Sequence, residues 1–178
     1  MTVSNADLTV TGSRVMIGLG SNMNNPVGQI RAALREIDEL PGCALVRTSS
    51  LYESAPVGVI EQPVFINAVA EVETTLTPHT LMASLLAIER GHDRVRSVRN
   101  GPRTLDLDVL LFADLCIHDG DLVTPHPRAH ERAFVLLPLL ELAPNLVIPG
   151  KGPAREFLPL VGSQSIRKIP ETELQPVP

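Results

Sequence analysis

The stretch that decides the fold runs from an arginine-containing loop into a short apolar segment: Arg99-Asn100-Gly101-Pro102-Arg103-Thr104-Leu105-Asp106-Leu107-Asp108-Val109-Leu110. From Leu105 to Phe112 the pattern predicts a β-strand. Side chains two residues apart on a strand point to the same face, with Cα atoms roughly 6–7 Å apart. Asp106 and Asp108 should therefore share one face, while the apolar residues around them take the other.

The acidic pair predicts a cation site. Two adjacent carboxylates repel each other and resist full ionisation unless a cation lies between them. Mg²⁺ suits the position, because it accepts one or two carboxylates together with water and substrate phosphates. Five arginines near the pair would suit a polyphosphate: Arg90, Arg94, Arg96, Arg99 and Arg103. Taken alone, each feature has a plainer alternative, a solvated strand face for the acids and ordinary surface for the arginines.

Composition limits the class of protein. The chain has 178 residues, which fits one domain of ordinary size. Its formal net charge of −5 argues against bulk binding of nucleic acid, which needs a basic surface. The two cysteines lack a C-x-x-C spacing, which favours a reduced, cytoplasmic protein. No apolar run approaches the ~18 residues of a membrane span, so we expect no membrane partner.

Six elements with clear patterns follow one another along the chain. Apolar runs and alternation predict strands at residues 14–20, 43–53, 64–74 and 105–112. A capping residue followed by proline predicts helices that begin at Asn25-Pro26 and Thr77-Pro78. The resulting βαββαβ order predicts an α+β, ferredoxin-like core, an antiparallel sheet with helices packed on it.

The rest of the chain carries weaker patterns. Residues 113–131 have the composition of a loop, and the apolar residues 132–142, interrupted by Pro138, predict a short or kinked helix. We expect a flexible N-terminal tail at 1–13, a single domain at 14–160 and a loosely ordered C-terminal tail at 161–178.

Several side chains outside the acidic strand are candidates for ligand binding. Phe65 and Asn67 share one strand face, and a ring beside an amide suits a flat, hydrogen-bonding heterocycle. An ordinary contact at the sheet edge is the alternative. His126 is held between two prolines, which suits a phosphate or adenine edge as well as it suits a turn with no ligand. Glu89 ends the second helix, where an acid opposes the helix dipole unless a cation is near.

With these residues in place, the chain resembles the 6-hydroxymethyl-7,8-dihydropterin pyrophosphokinase family of folate biosynthesis. The resemblance covers about Arg14 to Pro149. It rests on the stretch Arg99–Leu110 quoted above and on four shorter motifs: Gly20-Ser21-Asn22, Ser54-Ala55-Pro56-Val57-Gly58, Phe65-Ile66-Asn67-Ala68, and Pro125-His126-Pro127-Arg128 with His130-Glu131-Arg132-Ala133-Phe134.

The resemblance implies transfer of the terminal diphosphate of ATP to the pterin hydroxymethyl group, with release of AMP. Two Mg²⁺ ions would be held by Asp106 and Asp108, and the catalytic arginines would be Arg94 and Arg103. The residues implied for pterin binding are Ser54, Ala55, Val57, Gly58, Phe65, Asn67 and Phe134. Those implied for ATP binding are Glu89, Arg99, His126 and Arg132. The protein is expected to act as a monomer whose partners are these two substrates.

Two other functions fit parts of the pattern. A D-x-D motif also occurs in nucleotide-sugar transferases, although here the pair lies within a strand of a short chain. A ferredoxin-like module that binds RNA is disfavoured by the acidic charge and by the 3% aromatic content, since single-strand binding relies on exposed rings.

Overall fold

The computed structural model of the protein describes residues 12–58, 61–93 and 101–174. Its strands are β1 Ser13–Ser21, β2 Cys43–Thr48, β3 Tyr52–Ser54, β4 Phe65–Thr74, β5 Asp106–Phe112, β6 Ile117–Asp119, β7 Leu122–Thr124, β8 Val147–Ile148, β9 Gly152–Pro153 and β10 Ile166–Lys168. Its α-helices are α1 Pro26–Asp38, α2 Pro78–Gly91, α3 Ala133–Leu142 and α4 Leu158–Val161. The predicted helix starts are confirmed: the side chains of Asn25 and Thr77 accept hydrogen bonds from the backbone of the first turns.

Among the described residues, six strands form one antiparallel sheet. Its order is β10-β3-β4-β1-β5, and β2 pairs with the part of β4 that β3 leaves uncovered. The predicted βαββαβ order and the antiparallel α+β architecture are confirmed. The central strand β1 lies between β4, which carries Phe65 and Asn67, and β5, which carries Asp106 and Asp108.

The sheet is covered on both faces. One face packs against α1 and α2 through aliphatic side chains that include Ile17, Ile30 and Leu85. The other face packs against α3 through Val69, Leu110 and Leu136, among others. Leu105, Leu107 and Val109 belong to the first cluster, as the alternation predicts. Asp106 and Asp108 consequently point to the α3 side of the sheet.

The predicted single strand at 43–53 is wrong, because the chain forms two strands there. β2 pairs with residues 70–74 of β4, whereas β3 pairs with residues 65–67. Between them, Ser49 bonds to Val69 twice: its backbone N–H donates to the Val69 carbonyl at 2.8 Å, and its Oγ accepts from the Val69 N–H at 2.9 Å. Because the Ser49 side chain accepts from the Val69 N–H, the backbone pairing with β4 is interrupted between Thr48 and Tyr52. β3 then begins as a separate strand.

The expected loose tail from residue 161 is also wrong as far as residue 174. β10 pairs with β3 at the edge of the main sheet, and Ile169 is buried in the core. An unpaired edge strand exposes backbone donors and acceptors, and β10 satisfies those of β3. Likewise the predicted loop at 113–131 contains the β6–β7 hairpin. Of the expected N-terminal tail at 1–13, residues 1–11 lie outside the described residues, Gly12 precedes β1 and Ser13 begins it. None of the described helices has the length and apolar character of a membrane span.

Candidate active site

Two glycines of β1 open the floor of the site. In the sheet register Gly20 lies between Asn67 of β4 and Asp106 of β5, and Gly18 lies opposite Asp108. A Cβ on Gly20 would lie 3.4 Å from Asn67 Oδ1 and 3.9 Å from Asp106 Cβ. Because glycine has no side chain, the amide and the carboxylates border one common space.

That space is a cleft of about 760 Å³, including the volume open to solvent. It brings together most of the residues predicted for the pterin, the metal and the transferring group. From the predicted set it is lined by Ser54, Ala55, Val57, Phe65, Asn67, Arg103, Asp106, Asp108, Arg132 and Phe134. Gly58 is not among its lining residues; it lies next in the chain in a turn with a φ of +95°.

Arg103 joins the acidic pair to the aromatic side of the cleft. Its Nη1 donates to Asp106 Oδ2 at 2.5 Å, and its guanidinium carbon lies 5.9 Å from the centre of the Phe65 ring. Both partners of the ion pair are largely buried, with 22% and 21% of the side chains exposed. The positive group is thus held in a fixed place between the carboxylates and the ring.

The buried side chain of Asn22 fixes the backbone around Arg103. Its Oδ1 accepts from the Arg103 N–H at 2.9 Å, and its Nδ2 donates to Gln62 Oε1 at 3.1 Å and to the Pro63 carbonyl at 3.0 Å. The Asn22 N–H also donates to the Arg103 carbonyl. One amide at the end of β1 therefore links the segment that carries Arg103 to the segment before β4.

Asn67 presents an acceptor to the cleft. Its Nδ2 donates to Ser54 Oγ at 2.9 Å and approaches the Tyr52 carbonyl at 3.4 Å, while its Oδ1 lies toward Gly20. With the donor side engaged by the protein, the carbonyl oxygen is oriented for a ring N–H or an amino group. The rings of Phe65 and Phe134 line the same cleft, so this end suits a flat, polar heterocycle.

A second cavity holds two of the four residues predicted for the nucleotide, whereas Arg132 lines the first cleft. This second cavity is lined by Glu89 and His126, together with residues of α2 and β7, and it shares Asp108 with the first cleft. The Glu89 carboxylate is buried and accepts from the Leu107 N–H at 2.8 Å, which ties the end of α2 to β5. Asp108 thus lies where the two cavities meet.

His126 is neutral in the folded protein. Burial, aided by the positive charge of Arg132, lowers the pKa of His126 to about 4. Its Nδ1 accepts a hydrogen bond from the Arg128 N–H at 3.1 Å, so the ring proton is on Nε2. The imidazole can therefore donate one hydrogen bond to a ligand without adding charge.

Two of the predicted residues, Arg94 and Arg99, lie outside the described residues. Conversely, the structure adds Arg128, which lines the cleft beside Arg103 and Arg132 and had been assigned no role. The signal was present in the sequence, since Arg128 directly follows the Pro125-His126-Pro127 motif. What the sequence lacked was the fold of this turn, which brings the side chain to the acidic pair.

The donor set around the acidic pair fits Mg²⁺. Within residues 12–58, 61–93 and 101–174, no group of three or more His, Cys, Asp or Glu side chains could hold a metal by itself. Two carboxylates on one strand face would leave the remaining positions of an octahedral ion to water and phosphate oxygens. Asp106 and Asp108 therefore suit a metal that arrives with a phosphate ligand.

The fold and the cleft define a class of protein: an α+β enzyme that transfers a phosphate-containing group to a small flat acceptor. A model of one family, 7,8-dihydro-6-hydroxymethylpterin-pyrophosphokinase, matches residues 16–144. The chain belongs to this family, which confirms the resemblance inferred from its motifs and makes it a pyrophosphokinase.

Named relatives agree with the family. The chain is 49% identical over 133 residues to the 2-amino-4-hydroxy-6-hydroxymethyldihydropteridine pyrophosphokinase of Haemophilus influenzae, an alignment that covers 75% of this chain and 83% of that protein. It is 45% identical over 157 residues to the protein of the same name from Pseudomonas aeruginosa, which covers 88% of this chain and 97% of that one.

Solved structures agree on the fold. A crystal structure of Plasmodium falciparum HPPK-DHPS with pterin and p-hydroxybenzoate superposes with a TM-score of 0.66 at 16% identity. The match covers 83% of this chain but only 42% of that one, so the chain spans less than half of the solved protein. The shared part confirms the ferredoxin-like α+β fold.

Proposed function

We propose that this chain transfers the terminal diphosphate of ATP to the hydroxymethyl group of 6-hydroxymethyl-7,8-dihydropterin, in a Mg²⁺-dependent step of folate biosynthesis that releases AMP. One observation carries the proposal. Asp106, Asp108 and Arg103 line the same cleft as Asn67 and the two phenylalanine rings. A charged end for phosphates and a flat polar end for a pterin meet in one space.

The pterin is proposed to bind at the aromatic end. Phe65 and Phe134 would lie against the faces of the bicyclic ring, and Asn67 Oδ1 would accept from its polar edge. Ser54, Ala55 and Val57 line this end of the cleft as well, and the backbone near Gly58 would complete it. The hydroxymethyl group would then point toward Arg103 and the acidic pair.

The phosphates are proposed to bind at the charged end. Asp106 and Asp108 would hold two Mg²⁺ ions, which supply charge neutralisation on the phosphates and stabilise the attacking and leaving oxygens. Arg103 would contact the transferring group, together with Arg94 from outside the described residues. Diphosphate transfer depends mainly on positioning and charge stabilisation, which these fixed groups provide.

The nucleotide is proposed to occupy the second cavity. It would bind beside Glu89 and His126, with Arg132 and Arg99 toward its phosphates. Because Asp108 borders both cavities, ATP placed there would direct its phosphates to the acidic pair. In the transfer, the hydroxymethyl oxygen bonds to the β-phosphorus and gives up its proton to solvent, the bond between that phosphorus and the α,β-bridging oxygen breaks, and AMP leaves with that oxygen.

We further propose that the protein acts as a monomeric, single-domain cytoplasmic enzyme without nucleic-acid or membrane partners. The formal charge of −5 supports the lack of a nucleic-acid partner.

The test is the identity of the product. The protein is incubated with ATP, Mg²⁺ and the hydroxymethyl pterin, and nucleotides are separated by chromatography. AMP should form in step with the pterin diphosphate, and none should form with 6-methyl-7,8-dihydropterin, which lacks the accepting hydroxyl. Formation of ADP, or AMP release without a pterin, would overturn the proposal.

A further inference from the structure

The C-terminal residues Gln164–Ile166 lie between the two walls of the pterin end of the cleft. On one side, the Gln164 side chain contacts the start of α3. Its Oε1 accepts from the Ala133 N–H at 2.8 Å, and its Nε2 donates to the Glu131 carbonyl at 2.7 Å. These two bonds hold the backbone on both sides of Arg132.

On the other side, the same segment contacts the β3 wall through its backbone. The Ser165 carbonyl accepts from the Ala55 N–H at 3.2 Å, and Ile166 pairs with Ser54 in the sheet. Three consecutive residues therefore reach both Ser54-Ala55 and the start of α3. No other described hydrogen bond runs directly between residues 54–55 and residues 131–134.

Both walls belong to the site. Ser54 and Ala55 line the cleft on one side, and Arg132 and Phe134 line it on the other. The first N–H groups of a helix need acceptors, and Arg132 at the N-cap of α3 makes no side-chain capping bond. Gln164 supplies that acceptor from a distant part of the chain. The bonded N–H belongs to Ala133, the residue directly before Phe134.

We propose that residues 164–166 form a strap that fixes the width of the pterin end, and that Gln164 is a positioning residue which acts through Phe134. The inference rests on the proposed function. The family model matches residues 16–144, so the strap lies outside the residues that this model covers. Gln164 touches no reacting group and controls the ring position through the backbone of α3.

The test is a double-mutant cycle between Gln164→Ala and Phe134→Leu. Pterin affinity is measured by calorimetry in the presence of Mg²⁺ and a non-hydrolysable ATP analogue. Gln164→Ala should weaken pterin binding about tenfold, the size of a lost hydrogen-bond pair that orders a contact. In the Phe134→Leu background the same change should cost less than about twofold, because the ring it positions is gone.

Arg167→Ala is the matched control. Arg167 lies three residues after Gln164, in β10, and its side chain pairs with Glu53 and Glu173 on the surface. Its removal breaks only exposed ion pairs and should leave pterin affinity within about twofold. The proposed strap would be contradicted if Gln164→Ala weakened pterin binding equally in both backgrounds. It would also be contradicted if Gln164→Ala still formed AMP and bound pterin as tightly as the unsubstituted chain. Absence of pterin-dependent AMP formation by the unsubstituted chain would instead overturn the proposed function.

Discussion

At the scale of single residues, Asp108 is the residue whose loss should affect the reaction most, because it lines both cavities. Asp108→Asn keeps the shape of the side chain and removes the charge proposed to hold Mg²⁺. Turnover should fall by about 100-fold or more, as expected for the loss of a key electrostatic group. Steady-state AMP formation is the measurement. Asp119→Asn, in a surface pair with His79, is the control, and near-normal turnover in Asp108→Asn would contradict the metal role.

Arg128 gives a second residue-scale prediction. It lines the cleft, and its charge is balanced by Glu131 with an Nε–Oε2 distance of 3.3 Å. If a bound triphosphate accepts from this guanidinium, Arg128→Ala should weaken ATP binding about 10- to 100-fold, the range for a hydrogen bond between charged groups. Binding of an ATP analogue measured by calorimetry tests this.

Arg155→Ala removes the same charge from outside the cleft, where Arg155 bonds to the Pro144 carbonyl and Asn145. It should leave ATP binding almost unchanged. A similar loss in both variants would show that only the overall charge matters.

The neutral state of His126 makes stability depend on pH. Burial, with Arg132 and Arg128 nearby, lowers the pKa of His126 from 6.5 to about 4. Between these values the unfolded chain binds a proton that the folded chain does not, so stability rises with pH through this range. The contribution of neutral His126 to the free energy of unfolding is complete above about pH 6.5 and is lost as pH falls toward 4. About 1–2 kcal/mol of it is lost by pH 5.

His126→Asn should therefore flatten the decrease in the free energy of unfolding between pH 7 and pH 5. Urea unfolding at both pH values measures it. The same slope in the variant and the original chain would show that other groups cause the acid sensitivity.

At the scale of elements, Glu141 holds α3 to the sheet. Its Oε2 accepts from the Tyr52 hydroxyl at 2.5 Å, and its Oε1 accepts from the Ser50 N–H and Oγ at 2.9 and 2.8 Å. Lys168 of β10 lies 3.5 Å from the same carboxylate. Burial alone would raise the pKa of Glu141, but these bonds outweigh it and lower the pKa below its usual value. One carboxylate thus joins α3, β3 and β10.

Glu141→Ala should lower the free energy of unfolding by about 2 kcal/mol, because it leaves the partly buried Tyr52 hydroxyl without its charged acceptor. Chemical denaturation measures the change. Glu156→Ala, which removes a carboxylate from a short surface helix, should stay within about 0.5 kcal/mol. If both variants lose the same amount, the Glu141 contacts do not stabilise the fold.

At the scale of the whole molecule, the metal is proposed to serve the reaction and not the fold. The described residues contain no group of three or more potential ligands that could hold an ion without substrate. Treatment with EDTA should abolish AMP formation and shift the unfolding temperature by less than about 1 °C. Calorimetric scans with and without the chelator measure this shift. A decrease of several degrees would indicate a structural metal.

The sequence correctly predicted those features whose interacting residues lie close together along the chain, and missed those whose partners lie on distant elements. The acidic face of β5, the Phe65–Asn67 face and the two helix caps depend on neighbours a few positions apart, and all were predicted. The interruption of the strand at Ser49 and the position of Arg128 in the cleft were not predicted. Each depends on a partner element that the local pattern does not specify. Arg94 and Arg99 stay predictions, since they lie outside the described residues.

The sequence by itself determined the two main helices, strands β1, β4 and β5, the acidic strand face and the family, because alternation, capping and motif spacing are local properties of the chain. Only the tertiary structure decided that Asn22 holds Arg103 from 81 positions away, and that Tyr52 meets Glu141 from 89 positions away. It also decided that the C-terminal strand returns to close the sheet beside the pterin end. Such contacts form because buried polar groups need partners wherever the packed chain places them, and no local pattern specifies which distant residue that will be.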